Sequence, residues 1–167
     1  MAKKQMFKIT TVTGVKEVEG TPYSIPELPA IEMFIHKDLN GRQYTISEVT
    51  TGKAMATENK LKEVKNKLLQ IALNVGVDKI NEIIKSNYTV EQFENTYNKY
   101  VVLRAEFENI FNFDMPKDYL CGGLDVIRLS DRLGISDLDI SMKDYIGQKY
   151  GNRAVEVCQE LMHIKGI

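Results

Sequence analysis

Residues 31–76 contain the pattern that most constrains the fold of this chain, because they spell out a complete strand, turn, strand and helix. An apolar-rich strand covers residues 31–39, and Asn40-Gly41 follows it as the turn. This pair tolerates the positive φ angles that both central residues of a type I′ turn require, so it predicts a two-residue hairpin loop. A return strand covers residues 42 to about 51, and an amphipathic helix is expected to begin near Thr57.

The turn sets the register of the hairpin and so divides it into two faces. With a two-residue loop, Ile35 lies opposite Ile46 and Met33 lies opposite Glu48. The first face is the expected core and consists of Ile31, Met33, Ile35, Tyr44 and Ile46. The second face is mostly polar and is expected to meet solvent, a partner or another element of the chain. Its members are Glu32, Phe34, His36, Thr45, Ser47 and Val49.

The helix carries an apolar stripe that can cover the first face. Its members recur at steps of three and four: Leu61, Val64, Leu68, Ile71, Ala72 and Val75. Gly76 is a suitable stop, because glycine readily takes the left-handed conformation at a helix end. The opposite side is basic, with Lys60, Lys62, Lys65 and Lys67. Glu58 and Glu63 stand four residues before Lys62 and Lys67, a spacing that favours surface ion pairs.

A smaller hairpin is expected ahead of this unit, with strands at residues 7–12 and 15–19 around Thr13-Gly14. Residues 20–30 hold three prolines, which cannot sustain a helix, so they are interpreted as an extended connector. The two hairpins together predict a four-stranded antiparallel sheet with the amphipathic helix packed on one face.

The chain beyond Gly76 is predicted to be helical. A short helix is expected from Asp78, its cap, to about Ser86. Thr89-Val-Glu-Gln92 forms a capping box, which predicts a helix that continues to about Phe111. Three further helices are expected at residues 124–133, 141–150 and 152–164, the second of them opened by another capping box at Ser141.

These elements predict an α+β protein. Residues 1–76 form an N-terminal antiparallel sheet of two hairpins covered by an amphipathic helix, and residues 77–167 form an all-helical C-terminal part. The helical part either packs with the sheet as one domain or stands as a second domain. A chain of 167 residues buries enough surface to fold without metal or disulfide staples.

Composition narrows the function classes. The net charge of -1 argues against a general polyanion binder. No segment is apolar enough to span a membrane, and no signal-peptide core follows Met1-Ala-Lys-Lys, so a cytoplasmic protein is expected. Cys121 and Cys158 lack a metal or redox spacing and are expected to be buried free thiols. Eight of the fourteen Phe and Tyr residues lie between residues 88 and 119, where helical spacing favours core packing over a stacking surface.

No motif for catalysis or metal binding is complete. Residues 47–54 resemble a phosphate loop, but Ser47 and Ala54 replace the first glycine and the magnesium-binding hydroxyl. Residues 137–148 begin like a calcium loop but lack its glycine and its final carboxylate. His36 is expected at a solvent- or partner-facing position, and no residues have metal-ligand spacing. The sequence therefore predicts no enzymatic activity, no metal site and no cofactor.

Residues 34–70 resemble a module found in uncharacterised proteins of phages and other mobile elements of low-GC Gram-positive bacteria. Phe34-Ile-His-Lys, the hairpin turn, Ser47-Glu-Val-Thr-Thr-Gly-Lys53 and the Lys/Glu-rich helix carry this resemblance. It implies a small soluble accessory protein. The strand, strand, helix order is also similar to that of modules related to double-stranded RNA-binding domains. Those modules begin their helix with basic residues, a feature that Thr57-Glu-Asn-Lys60 matches poorly.

Two hypotheses of different class follow. In the first, the chain is a non-enzymatic interaction protein that binds, and in one version inhibits, a host or phage protein. Its candidate partner-binding residues are Phe34, His36, Thr45, Ser47 and Val49. In the alternative, the chain binds nucleic acid through Lys60, Lys62, Lys65 and Lys67 together with Lys3 and Lys4.

Overall fold

The computed structural model describes residues 3–118, 122–135 and 141–166. The chain divides into two compact units, Met1–Glu94, called here the sheet unit, and Asn95–Ile167, called the helical unit. The sheet unit contains β1 (Gln5–Thr11), β2 (Gly14–Tyr23), β3 (Met33–Lys37), β4 (Tyr44–Glu48), β5 (Ala54–Glu58), α1 (Leu61–Val75) and α2 (Val77–Ser86). The remaining helices are α3 (Val90–Phe111), which spans the boundary, α4 (Val126–Leu133), α5 (Met142–Tyr150) and α6 (Asn152–His163).

The strands form one antiparallel sheet in the order β1-β2-β3-β4-β5. Each strand therefore pairs with its neighbour in sequence, as expected for a meander with short connections. The sheet is followed by helices, and the predicted α+β class is confirmed.

The hairpin of β3 and β4 has the predicted register, with Ile35 opposite Ile46. Its loop differs, because the Asp38 N–H donates to the Gln43 carbonyl and residues 39–42 form a four-residue loop. Among the described residues other than glycine only Asn112 has a positive φ, so the type I′ turn predicted at Asn40-Gly41 was wrong. Two-residue and four-residue loops produce the same strand pairing here, which is why the register was still correct.

The first hairpin turns one residue earlier than predicted, since Thr11 pairs with Gly14. β2 also continues to Tyr23 and pairs with β3, so the first part of the predicted connector was wrong. Pro22 lies opposite Phe34, beyond the last residue of β2 that pairs with β1. A proline without an N–H is tolerated at such a position because one edge of the strand is free.

The fifth strand was not predicted. Residues 54–58 pair with β4 across a bulge near Ile46, so Thr57 lies in a strand and the expected helix start there was wrong. The segment reads Ala-Met-Ala-Thr-Glu, which favours a helix by propensity. Pairing with β4 overrides that preference, because strand formation depends on tertiary neighbours more than on intrinsic propensity.

The predicted core face of the hairpin is confirmed for Ile31, Met33 and Ile46, whereas Ile35 and Tyr44 are half-buried at its edge. α1 lies against β4 and β5 and ends at Gly76, whose φ is 82°. The cluster between sheet and helices is apolar and consists of Leu28, Ile31, Met33, Ile46, Ala56, Val64, Leu68, Ala72 and Ile80. Ile80 belongs to α2, whose N-cap is Gly76 and not the predicted Asp78. α2 therefore shares the core of the sheet unit.

Both predicted capping boxes are confirmed. The Thr89 N–H donates to Gln92 Oε1 at 3.0 Å, and the Gln92 N–H donates to Thr89 Oγ1 at 3.2 Å, which is the reciprocal capping box. Ser141 caps α5 by accepting from the Asp144 N–H. The aromatic residues of α3 are core, as predicted, and the helical unit buries Tyr100, Leu103, Phe107, Phe111, Leu129, Ile146, Val157 and Leu161. Cys121 and residues 137–140 of the calcium-like segment lie outside the described residues.

Candidate functional site

The face proposed for partner binding is buried. Phe34 is 0% exposed, Ser47 1%, His36 5% and Thr45 6%, and Val49 is half-buried. Of the three expected neighbours of this face, which were solvent, a partner and another element of the chain, the structure shows the third.

Strand β1 covers this face from within the same sheet. The Phe7 ring stacks on the Phe34 ring with centroids 4.0 Å apart and planes within 3°. The Thr10 N–H donates to the Gly52 carbonyl at 3.1 Å, so β1 reaches the loop between β4 and β5. The sheet thus curls around this side of the hairpin, which carries Phe34, His36, Thr45, Ser47 and Val49 and is called here the Phe34 face. Ile9 and Val18 pack with Phe34 in a second, smaller core.

His36 is an interior histidine rather than a surface one. Its Nδ1 lies 2.7 Å from the Lys37 carbonyl, so Nδ1 carries the proton and donates it to that oxygen. Nε2 then accepts the hydroxyl hydrogen of Ser47 at 2.9 Å. Burial lowers the pKa of His36 below its usual value. The pair has the spacing of a nucleophile and a general base, but the Ser47 hydroxyl is out of a substrate's reach.

In the loop that resembles a phosphate loop, the side-chain carboxylate of Glu48 accepts the hydrogen bonds that a bound phosphate would accept. Glu48 is 3% exposed and accepts hydrogen bonds from the Thr50 N–H, from the Thr51 N–H at 2.8 Å and from the Thr51 hydroxyl at 2.7 Å. These are the kind of donors that a phosphate loop turns toward its ligand. The loop therefore closes the β4–β5 turn instead of cradling a phosphate.

The lysines of α1 are partly neutralised. Lys67 pairs with Glu58 at 2.6 Å, and Lys60 pairs with Glu63 at 2.9 Å. The predicted pairs, Glu58 with Lys62 and Glu63 with Lys67, were wrong. Glu58 belongs to β5 and not to the helix, and Glu63 pairs with Lys60 instead. Lys62 is exposed, and Lys65 lies near the Tyr23 ring at 5.1 Å from its centroid. The helix thus carries only part of the predicted basic face.

A cleft of about 770 Å³ opens beside α1, and we call it the Tyr23 cleft. Because α1 packs mainly against β4 and β5, the adjoining part of β2 and β3 is left uncovered on this side. Thr21, Tyr23, Ile35 and Tyr44 form the floor, and Leu61 of α1 forms part of the wall. Lys4, Lys37 and Lys65 stand around it.

The charges around the Tyr23 cleft favour an anion. The two carboxylates that line it are already engaged: Glu19 pairs with Lys4 at 2.6 Å, and Asp38 accepts backbone N–H groups of the hairpin loop. Lys37 lies over the Tyr44 ring, with Nζ 3.5 Å from the centroid. Within residues 3–118, 122–135 and 141–166, neither Lys37 nor Lys65 has a carboxylate oxygen within 4.0 Å. Neither ammonium group is therefore neutralised by a described carboxylate.

Tyr23 on the floor of the cleft is uncharged at neutral pH. Burial, and the nearby charge of Glu27, raise the pKa of Tyr23, so its phenol keeps its proton. Sequence reasoning included Lys4, His36 and Lys65 among candidate residues but missed Tyr23, Tyr44 and Lys37. Tyr23 stood in a segment interpreted as a connector, so nothing local indicated that it would share a surface with α1.

No family model, curated protein or solved structure matches this chain. The part of the chain that the structure describes contains no group of three or more His, Cys, Asp or Glu side chains able to hold a metal ion. Its described helices also include none with the length and hydropathy needed to cross a membrane.

Proposed function

We propose that this chain is a non-enzymatic binding protein that holds an anionic partner in the Tyr23 cleft. The observation that carries the proposal is the pair Lys37 and Lys65, whose ammonium groups stand beside aromatic rings and have no carboxylate partner among the described residues. Charges left unpaired around a concave, largely apolar surface are typical of a binding site.

The chemistry of the best nucleophile candidates favours binding over catalysis. Ser47 and His36 hydrogen-bond to each other inside the sheet unit. Cys158 is buried in the helical unit, and burial raises the pKa of its thiol to about 12. A thiol with that pKa is protonated at neutral pH and reacts slowly.

Two kinds of anionic partner suit this proposal. The resemblance to phage and mobile-element proteins favours an acidic surface on a host or phage protein, which this chain binds and inhibits in the cytoplasm. The tyrosine rings beside the lysines favour nucleic acid instead, since aromatic and basic groups alternate in single-strand binding grooves.

Capture from a lysate of a low-GC Gram-positive bacterium tests the proposal. Tagged wild-type protein and the double variant Lys37→Glu with Lys65→Glu are compared at low salt, with and without nuclease. The control is Lys16→Glu with Lys85→Glu, which changes net charge equally at two exposed lysines away from the cleft. We expect one partner to be retained by wild type and control and lost by the cleft variant.

Equal capture by all three proteins would refute the cleft as the binding site. Circular dichroism of each variant shows whether a loss of binding reflects a loss of fold. Nuclease treatment separates the two kinds of partner, because only a nucleic-acid partner disappears with it.

A further inference from the structure

We propose that the Tyr23 cleft binds single-stranded nucleic acid, with a base against the tyrosine-lined floor and the adjacent phosphates at Lys37 and Lys65. This inference rests on the proposed function and deepens it by naming the class of anion. Three properties of the cleft support it: the kind of contact its floor offers, the placement of its charges and its size.

The floor offers side-chain contacts and little backbone hydrogen bonding. Thr21 pairs with Ile35 and Tyr23 pairs with Met33, so the strands beneath the cleft are bonded to each other. A peptide here gains few ladder hydrogen bonds, because the only unpaired edge is that of β2 at residues 21–23, where Pro22 has no N–H. Ladder bonds are the main source of affinity when a sheet binds an extended peptide. A planar base instead gains apolar and stacking contact with Tyr23, and also with Tyr44 when Lys37 moves from the face of that ring to a phosphate. Such contact tolerates any base sequence.

The charges lie where a phosphate backbone would pass. Lys37 extends from β3 and Lys65 extends from α1, so the two ammonium groups approach the cleft from different elements. A lysine ammonium is a compact charge with three donors and suits a phosphate oxygen in many orientations. Lys62 is exposed three residues before Lys65 on the same helix, so it continues the basic path beyond the cleft.

The size of the cleft matches one nucleotide rather than a duplex. A volume of about 770 Å³ falls in the range of small-ligand sites. A base can occupy such a cleft only if it is unstacked from its neighbours, which a single strand permits at low cost. A duplex would present phosphates to the lysines but no base to the floor.

Fluorescence anisotropy with a labelled oligothymidylate of roughly ten nucleotides tests the inference, a length within the usual range for one binding module. We expect wild type to bind it with an affinity that falls steeply as salt rises. Lys37→Glu with Lys65→Glu should weaken binding by about tenfold or more, while Lys16→Glu with Lys85→Glu should change it by less than about twofold.

A charge-neutral variant tests the tyrosine ring, which contacts the base and also lies under Lys37. Tyr44→Leu keeps an apolar side chain at the floor but removes the ring, and we expect roughly tenfold weaker binding, as for loss of one stacked base. The corresponding control is Tyr88→Leu, which removes an exposed ring outside the cleft and should leave affinity unchanged. Thermal unfolding of both variants verifies that the sheet unit stays folded.

Competition experiments decide the class of anion. Unlabelled single strand should displace the probe, whereas polyglutamate and duplex of equal length should not. Equal displacement by polyglutamate, with binding still lost in Lys37→Glu with Lys65→Glu, would overturn the nucleic-acid inference and leave the proposed anion-binding function standing. The inference would also be overturned if oligothymidylate does not bind, or if its affinity changes neither with salt nor with substitution of the cleft lysines. The lysate capture then tests the proposed function independently.

Discussion

Nε2 of His36 lies 2.9 Å from Oγ of Ser47, and both side chains are buried. They belong to a sheet in which each strand pairs with the next strand in sequence. The bond joins β3 to β4, because these residues stand on neighbouring strands. It satisfies two polar groups in a face that otherwise packs Phe7 against Phe34. The stability of the sheet unit should therefore depend on it.

Replacing Ser47 with alanine should lower the free energy of unfolding by about 1–3 kcal/mol, because His36 Nε2 would then be buried without a hydrogen-bond partner. Urea denaturation followed by circular dichroism measures the change. Ser86→Ala is the control: its hydroxyl is exposed at the end of α2 and donates to Ile83, and its loss should cost less than about 0.5 kcal/mol. Equal stability of the two variants would show that the interior bond contributes nothing.

The stability of the protein should fall as pH drops below about 6.5, the usual pKa of histidine. Burial lowers the pKa of His36 in the folded state, so the unfolded chain takes up this proton first as the solution is acidified. The contribution is complete above pH 6.5 and is lost as pH approaches the folded pKa. Urea midpoints between pH 7.5 and pH 5 should show this decline in wild type and in His163→Gln, but not in His36→Gln.

Phe34→Ala should destabilise the protein by about 3–5 kcal/mol, because the ring is fully buried and stacked on Phe7. The control is Leu39→Ala in the hairpin loop, where the side chain is 58% exposed and the cost should be below about 1 kcal/mol. A folded Phe34→Ala protein with normal stability would mean that this face is open to a partner, contrary to its position in the structure.

Two glycines allow the close contact between β1 and the β4–β5 loop to be tested. Gly41 and Gly52 have φ of 70° and 65°, so alanine at either position carries a similar conformational cost of about 1–2 kcal/mol. A Cβ at Gly41 meets nothing within 4 Å, whereas one at Gly52 lies 2.8 Å from the Lys8 carbonyl oxygen. Gly52→Ala should therefore lose about 1–3 kcal/mol more than Gly41→Ala in urea denaturation. Equal losses of stability in the two variants would show that β1 lies farther from the β4–β5 loop than it does in the structure.

Cys158 should resist thiol reagents in the folded protein. Burial raises its pKa to about 12, so almost no thiolate exists at pH 8. In the background Cys121→Ser, which leaves one cysteine, we expect labelling by a disulfide reagent to be slow in buffer and complete in denaturant. Fast labelling without denaturant would contradict the packing of Cys158 in the helical unit.

The sequence was most informative where the determining residues are close along the chain. The capping boxes at Thr89 and Ser141, the stop at Gly76 and the apolar stripe of α1 all depend on residues within a few turns of one another. The register of β3 and β4 was also correct, although the loop was not, because Asp38 accepts backbone N–H groups and favours a longer turn. The candidate site was mostly missed: of the residues that line the cleft, only Lys4, His36 and Lys65 were among the candidates.

The sequence by itself determined the α+β class, the core face of the hairpin and the main helices, since periodicity and capping are local properties. Tertiary structure decided that the Phe34 face is interior, because that depends on the bond from Thr10 to Gly52, two residues far apart in the chain. It also decided that β5 is a strand and that Tyr23, Lys37 and Lys65 share one cleft. Such outcomes depend on which strand lies beside which and on where a helix leaves a sheet uncovered, and no local pattern of residues encodes them.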